Sequence, residues 1–330
     1  MNRFVIIVLA AALAFGACKR SQTAKASQKA EEQVATGKPS PPVSKADSPV
    51  LYPARDKGKY GLIDKTGKMV VEPQFKKVLD FTEGLAAYND LATDRWGYID
   101  ATGKPVIPAK YNLAFPFADG LAAVRIGAKF GCINRAGDLV VVPKFAGISQ
   151  FSEELAATLF EQDVQGTHVR AWGFIKPDGL FAGALTPKWD GVGPFGEGIA
   201  PVRVMTKKWG YMDKTGKMVI EPVYESANRF AEGLAAVEGS IPQHNKWGFI
   251  DHEGKYKIAP QFTLARTFYE GLAGVQVDEK KWGFIDKNSK MVIKATFDDI
   301  GPFNGGLALA KVGDKERYID TTGNTVWEEK

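Results

Sequence analysis

Lys208–Pro222 reads KWGYMDKTGKMVIEP, and Lys59–Pro73 reads KYGLIDKTGKMVVEP; the two agree at 11 of 15 positions. Their aromatic–Gly pair recurs as Tyr60-Gly61, Trp96-Gly97, Phe130-Gly131, Trp172-Gly173, Trp209-Gly210, Trp247-Gly248 and Trp282-Gly283. A degenerate eighth copy has Arg317-Tyr318 in the same place, and successive copies lie 34 to 42 residues apart. Self-similarity at that period indicates stacked supersecondary units, none of which can bury its apolar surface alone.

Within one unit the residue pattern is that of strands. Trp209-Gly210-Tyr211-Met212 alternates, placing Trp209 and Tyr211 on one face and Gly210 and Met212 on the other. Asp213-Lys214-Thr215-Gly216 then has turn chemistry: Asp bonds backbone two residues on, and Gly takes the positive φ that the turn needs. Asp64, Asp100, Asp251 and Asp320 repeat it, with Asn134 as a close substitute. Met218–Ile220 forms the next strand and Pro222 ends it, because Pro cannot donate to a ladder. A small-residue strand precedes each aromatic–Gly pair, as in Leu234–Val237, Leu85–Ala87 and Leu121–Val124. Between units, a link such as Tyr224, Ala227, Phe230 followed by Glu232-Gly233 fits neither a helix nor a strand period; it is expected to be a crossing loop with aromatics beneath the sheet.

The expected fold is therefore all-β: eight three-stranded meanders starting near Leu51, Leu85, Leu121, Leu155, Ile199, Leu234, Leu272 and Leu307. Two arrangements cover both faces of every meander. One is a propeller-like closed ring with the Leu-Ala-Ala strand at the crowded centre; the other is an open superhelix with atypical ends as caps. Small inner residues, and a link long enough to pass from the outer edge of one unit to the inner strand of the next, favour the closed ring, which is the expected arrangement, with the open superhelix as its alternative. The absence of a split unit and the cap-like Arg317-Tyr318 copy favour the open stack.

Tandem copies built as W-G-(Y/F)-I-D-x-x-G-K-x-V-I-x-P, followed by F-x-E-G-L-A-x-V, resemble the bacterial WG (KWG) repeat over roughly residues 51 to 327. The resemblance implies an all-β repeat and assigns no activity.

Residues 1–17, MNRFVIIVLAAALAFGA, have a cationic start at Arg3 and an apolar run, Phe4–Phe15, too short for a bilayer that needs about 20 residues. With Cys18 directly after Phe15-Gly16-Ala17, the segment resembles the signal peptide and lipobox of bacterial lipoproteins, Phe15 standing where an aliphatic is usual. That resemblance implies lipidation of Cys18 and a bacterial cell-envelope location. Lys19 after the Cys favours the outer membrane by resemblance to enteric sorting, with the periplasmic or surface face open. Residues 18–49 are rich in Lys, Ser, Ala, Gln and Pro and lack aromatics, so they are expected to be a disordered tether carrying the lipidated Cys. Residues 50–330 hold the repeats.

Net charge is +5, with Lys and Arg dispersed among Asp and Glu along the repeats; a nucleic-acid binder concentrates its basic residues on one face, and no nucleic-acid partner is expected. Two Cys and three His are too few and scattered for a metal cluster. Cys132 occupies the Tyr/Phe slot of its strand and is expected to be a buried hydrophobe. No phosphate-cradling loop or triad spacing stands out, so no cofactor and no enzymatic activity are expected. The constant Trp residues are expected to pack, since each is tied to a close-packing Gly.

The copies differ most between the small-residue strand and the aromatic–Gly strand. Nine residues separate Leu51 from Tyr60, but 17 separate Leu155 from Trp172 and 13 separate Leu234 from Trp247. Loop variation on one side of a uniform scaffold is where repeat proteins carry recognition. The candidate partner-binding residues are Asp163, His168 and Arg170 in the first long loop and Gln243, His244 and Asn245 in the second, with Asp94 nearby. The expected function is a membrane-tethered, non-enzymatic scaffold that binds an envelope protein. The alternative is a glycan- or peptidoglycan-binding module that stacks sugars on aromatics such as Trp189 or Trp327.

Overall fold

The computed structural model describes residues 35–41, 50–164, 167–183, 189–241, 244–277 and 280–330. These form eight antiparallel sheets, one per repeat, arranged as an eight-bladed closed propeller. Unit 2 is representative. Its strands Lys77–Thr82, Leu85–Asn89, Trp96–Ile99 and Pro105–Tyr111 pair in chain order.

The sheets thus have one strand more than the sequence pattern predicts. The link is a strand: Lys77–Thr82 pairs with Leu85–Asn89, and Ser226–Ala227 pairs with the strand that follows it. Its period is obscured by a register shift between Val78 and Phe81, a bulge that breaks strict alternation. In units 1 and 4 three strands are paired. The link strands lie at the axis and the small-residue strand is second, so the Leu-Ala-Ala strand does not line the centre. Ala86, Ala87, Ala235 and Ala236 are fully buried because sheet packs on sheet there.

The aromatic–Gly pair marks a second bulge. Trp209 pairs Tyr224 while Tyr211 pairs Ile220, so the outer strand has gained residues against its neighbour. That excess drives the outer backbone over the glycine. A Cβ on Gly210 would lie 2.5 Å from the Ile220 carbonyl oxygen, and at Gly61, Gly97, Gly131, Gly248 and Gly283 the corresponding distance is 2.1 to 2.6 Å. The following turn is equally regular: Asp213 Oδ1 accepts from the Thr215 amide (2.9 Å), the Thr215 hydroxyl (2.6 Å) and the Lys217 amide (3.1 Å).

Neighbouring units meet through an aromatic step. Tyr98 packs on Phe117, Phe174 on Phe195, Tyr211 on Phe230, Phe249 on Phe268 and Phe284 on Phe303, with ring centroids 4.8 to 4.9 Å apart. Units 1 and 3 have Leu62 and Cys132 in that slot, clustered with Phe81 and Phe151, so the same strand of each unit supports the next unit's link. Unit 8 meets unit 1 in the same manner: Tyr318 packs on Tyr52 at 5.2 Å, and its hydroxyl donates to the Pro53 carbonyl at 2.9 Å. Tyr52, Ala54, Ile63, Leu307 and Tyr318 form one buried cluster. Outside it, Arg55 pairs with Glu329 at 2.8 Å and Glu316 at 4.0 Å. Arg317-Tyr318 is therefore a junction and not a cap, and the ring closes without a shared sheet.

Part of the expected tether is ordered. Residues 35–41 lie against unit 3, with the Thr36 and Gly37 amides donating to the Leu139 carbonyl at 2.8 and 3.0 Å. Scarcity of apolar side chains did not prevent this, because the contacts are mostly backbone hydrogen bonds. Cys18 and the rest of residues 1–34 lie outside the described residues.

Candidate functional site

Connections in an antiparallel meander alternate between its two ends. The Glu–Gly turn after each link strand and the Asp turn after each aromatic strand therefore share one face of the ring. The connection between them, where the copies vary in length, lies on the other.

On the turn face, one unit's carboxylate receives the amide of the next unit's turn. Glu83 accepts from Gly120, Glu153 from Gly198, Glu197 from Gly233, Glu232 from Gly271 and Glu270 from Gly305 and Gly306, at 2.6 to 3.2 Å. The residue after the turn Asp often adds a nitrogen-bearing side chain: Lys214 reaches Glu153 at 3.1 Å, His252 reaches Glu197 at 3.1 Å, and Lys287 reaches Glu232 at 3.3 Å. His252 also stacks on Phe230. Burial opposes ionisation of Glu153, but Lys214 and the Gly198 amide outweigh it and hold its carboxyl below the usual range. The face is thus occupied with joining units.

On the opposite face, the two long connections are extensions of strands and not loops. Ala156–Val164 pairs with Thr167–Ile175 along its whole length, and Ala235–Ile241 pairs with His244–Ile250. Asp163 stands opposite His168 and Glu161 opposite Arg170, whose Nε lies 3.1 Å from Glu161 Oε1. His244 and Asn245 pair with Ile241 and Ser240 in backbone register. Gln243 lies outside the described residues. Asp94 closes the shorter connection of unit 2, accepting from Lys76 Nζ at 2.8 Å, and that bond holds its carboxyl below the usual range. The candidate residues therefore share a face, but they stand on units 2, 4 and 6.

Sequence reasoning passed over a cavity at the axis. It measures 770 Å³ and takes Val50, Phe81, Phe115, Gln150, Pro194, Arg229, Tyr269 and Asn304, one from each unit in turn, among its lining residues. Arg229 donates to the Tyr269 hydroxyl at 2.6 Å and lies over that ring. The signal was available: the two residues before each link Phe differ from copy to copy, as in Phe115-Pro116, Ser149-Gln150, Gly193-Pro194 and Asn228-Arg229.

The tryptophans pack. Trp247 and Trp282 are buried, and Arg266 covers the Trp282 ring at 4.5 Å. Trp189 packs edge-on to Phe174 and Trp327 against Tyr318. Cys132 is fully buried, and burial pushes its thiol up to about 12. Among the described residues no group of His, Cys, Asp or Glu could hold a metal ion, and no helix is long and apolar enough to cross a membrane.

The WG containing repeat matches residues 60–89, 96–130, 130–159, 172–204, 209–238, 247–280 and 282–315. The chain belongs to the WG-repeat family. Each matched WG segment runs from one aromatic–Gly strand into the second strand of the next unit, so eight units yield seven matches, the last ending at residue 315. Comparison with curated proteins gives no match. Among solved structures, the chain is similar to a eukaryotic initiation factor (TM-score 0.51, 12% identity, 85% of this chain and 96% of that one). It is also similar to apo AztD from Citrobacter koseri (TM-score 0.52, 12% identity, 85% and 94%). Prolyl oligopeptidase B from Galerina marginata matches over 74% of this chain and 49% of its own (TM-score 0.52, 12% identity). At such identity the likeness is one of fold.

Proposed function

We propose that this WG-repeat protein is a non-enzymatic scaffold that holds a protein partner in the bacterial cell envelope, presenting the hairpins of units 4 and 6. The supporting observation is the difference between its two faces. The turn face is consumed by carboxylate–amide bonds between units, whereas the hairpins extend two strand pairs beyond a frame that is otherwise uniform. Extended strands carry unpaired edges, and an edge can take up a further strand from a partner. Cys18 is the proposed site of a lipid anchor, through which the scaffold would sit on the outer membrane. Partial burial of Trp189 and Trp327 leaves the glycan-binding alternative with little stacking surface.

A photoreactive residue at Arg170, compared with one at Thr215 on the turn face, tests the reading in intact cells. Crosslinks to a discrete protein from position 170 and none from 215 are expected. Equal labelling from both positions, or capture by purified wall polysaccharide instead, would overturn it. For the anchor, Cys18→Ser is expected to release the protein into the soluble fraction.

A further inference from the structure

We infer that unit 3 carries a dedicated docking site for the chain's own residues 36–40, so that the N-terminal segment joins the ring on the turn face and not at its first strand. The contacts follow one line across the unit. Thr36 and Gly37 donate to Leu139 on the edge strand, the Lys38 carbonyl accepts from Asn134 Nδ2 at 3.0 Å, and Ser40 Oγ accepts from the Arg135 amide at 3.0 Å. The Ser40 amide then points at the Gly120 carbonyl, 3.4 Å away, beside the axis.

The residues that make the site are those in which unit 3 departs from the repeat. Six other units have Asp at the first turn position (Asp64, Asp100, Asp213, Asp251, Asp286 and Asp320); unit 3 has Asn134. Asn134 keeps the turn, since its Oδ1 accepts from the Ala136 and Asp138 amides at 3.0 and 2.9 Å. The gain is an Nδ2 donor, which a carboxylate lacks, and it is spent on Lys38 and on Asp138 Oδ2. Asn134 is only 7% exposed, so that donor needs its partner. Asp138 stands where units 1, 2, 5, 6 and 7 have Lys68, Lys104, Lys217, Lys255 and Lys290.

The strap is fitted in return. A Cβ on Gly37 would lie 2.6 Å from Asp138 Cβ and 2.9 Å from Asn134 Nδ2, and one on Gly120 would lie 1.8 Å from the Ser40 carbonyl oxygen. If Cys18 carries the anchor, the stretch between anchor and ring runs from 18 to 36 and not to 50. Its greatest span falls from about 110 Å to about 60 Å at 3.3–3.6 Å per residue.

Hydrogen exchange of the full chain, read on peptides spanning 34–41 and 133–140, tests the assignment. In the native protein the Thr36, Gly37 and Ser40 amides are expected to exchange at least about tenfold more slowly than an unstructured chain. The double change Asn134→Asp/Asp138→Lys gives unit 3 the Asp and Lys with which unit 2 folds its turn (Asp100 and Lys104), so it is expected to remove that protection while unit 6 keeps its own. Gly37→Leu is expected to do the same from the strap's side. Exchange of residues 36–40 at the unstructured rate in the native protein, or protection surviving either variant, would overturn the inference. Neither result depends on whether the hairpins bind a partner.

Discussion

Gly248→Ala adds one methyl group where the packing argument leaves no room. Its Cβ would meet the Ile258 carbonyl oxygen at 2.6 Å, the Pro260 nitrogen at 2.8 Å and the Ala259 carbonyl carbon at 3.0 Å, all backbone atoms. No side chain can rotate away, so the aromatic and outer strands must separate by several tenths of an ångström between Trp247 and Phe249, both buried. Overpacking of this kind costs about 1–3 kcal/mol. Alanine in place of glycine also stiffens the unfolded chain, which favours folding by about 0.4–1 kcal/mol where the backbone is compatible. The net expectation is a loss of about 1–2 kcal/mol, seen as a lower urea midpoint at unchanged slope. Gly147→Ala is the control: its Cβ would meet only Leu159 Cβ, at 3.5 Å, so the entropic gain should appear alone. If Gly248→Ala equals the native protein, or behaves like Gly147→Ala, close approach is not why glycine follows the aromatic residue.

Three further outcomes follow from packing and charge. Trp282→Ala, at a position 6% exposed, is expected to cost about 3–5 kcal/mol; a loss below about 1 kcal/mol in chemical denaturation would contradict its role as core. Tyr318→Phe leaves the Pro53 carbonyl without its donor at the junction of units 8 and 1 and should cost about 1–2 kcal/mol, with unchanged stability counting against that junction. Acid should loosen the turns. The Thr hydroxyls beside Asp64, Asp100, Asp213 and Asp320, followed by backbone amides, hold these carboxyls below their usual value. A depressed folded value gives stability that is present above the unfolded value, about 3.9, and is lost as pH falls through the folded one. Denaturation midpoints should therefore drop below about pH 4, and a flat profile down to pH 3 would refute the turn electrostatics.

Much of the architecture was legible because each signal was local. Alternation at Trp209–Met212, turn chemistry at Asp213–Gly216 and strand termination at Pro222 each act within a few residues. Their repetition made the unit count plain. The link strand was hidden because its bulge between Val78 and Phe81 mimics a period of three. Closure was legible from the small inner residues and the length of the link, but the contact that makes it was not: it depends on Tyr318 reaching Tyr52 from the far end of the chain, in a copy that lacks its tryptophan. The variable connections were located correctly, but as loops, since length alone does not distinguish a loop from a hairpin that keeps pairing. Docking of residues 36–40 escaped because composition reports side-chain burial, whereas Thr36, Gly37 and Ser40 are held largely through their backbones.

The junction of units 8 and 1 has a consequence for how such a ring is made and remade. Where a sheet is shared between the two ends, the copy number is locked by the need for complementary halves. Here every junction is a buried apolar contact between whole units, aromatic on aromatic at six of the eight, and the last needs only Tyr52 and Tyr318 to stand in for the usual pair. Whole units could be inserted, deleted or cyclically reordered by recombination without designing a new seam. Copy number then sets the bore of the axial cavity, and the residues on either side of each link Phe set what that bore displays.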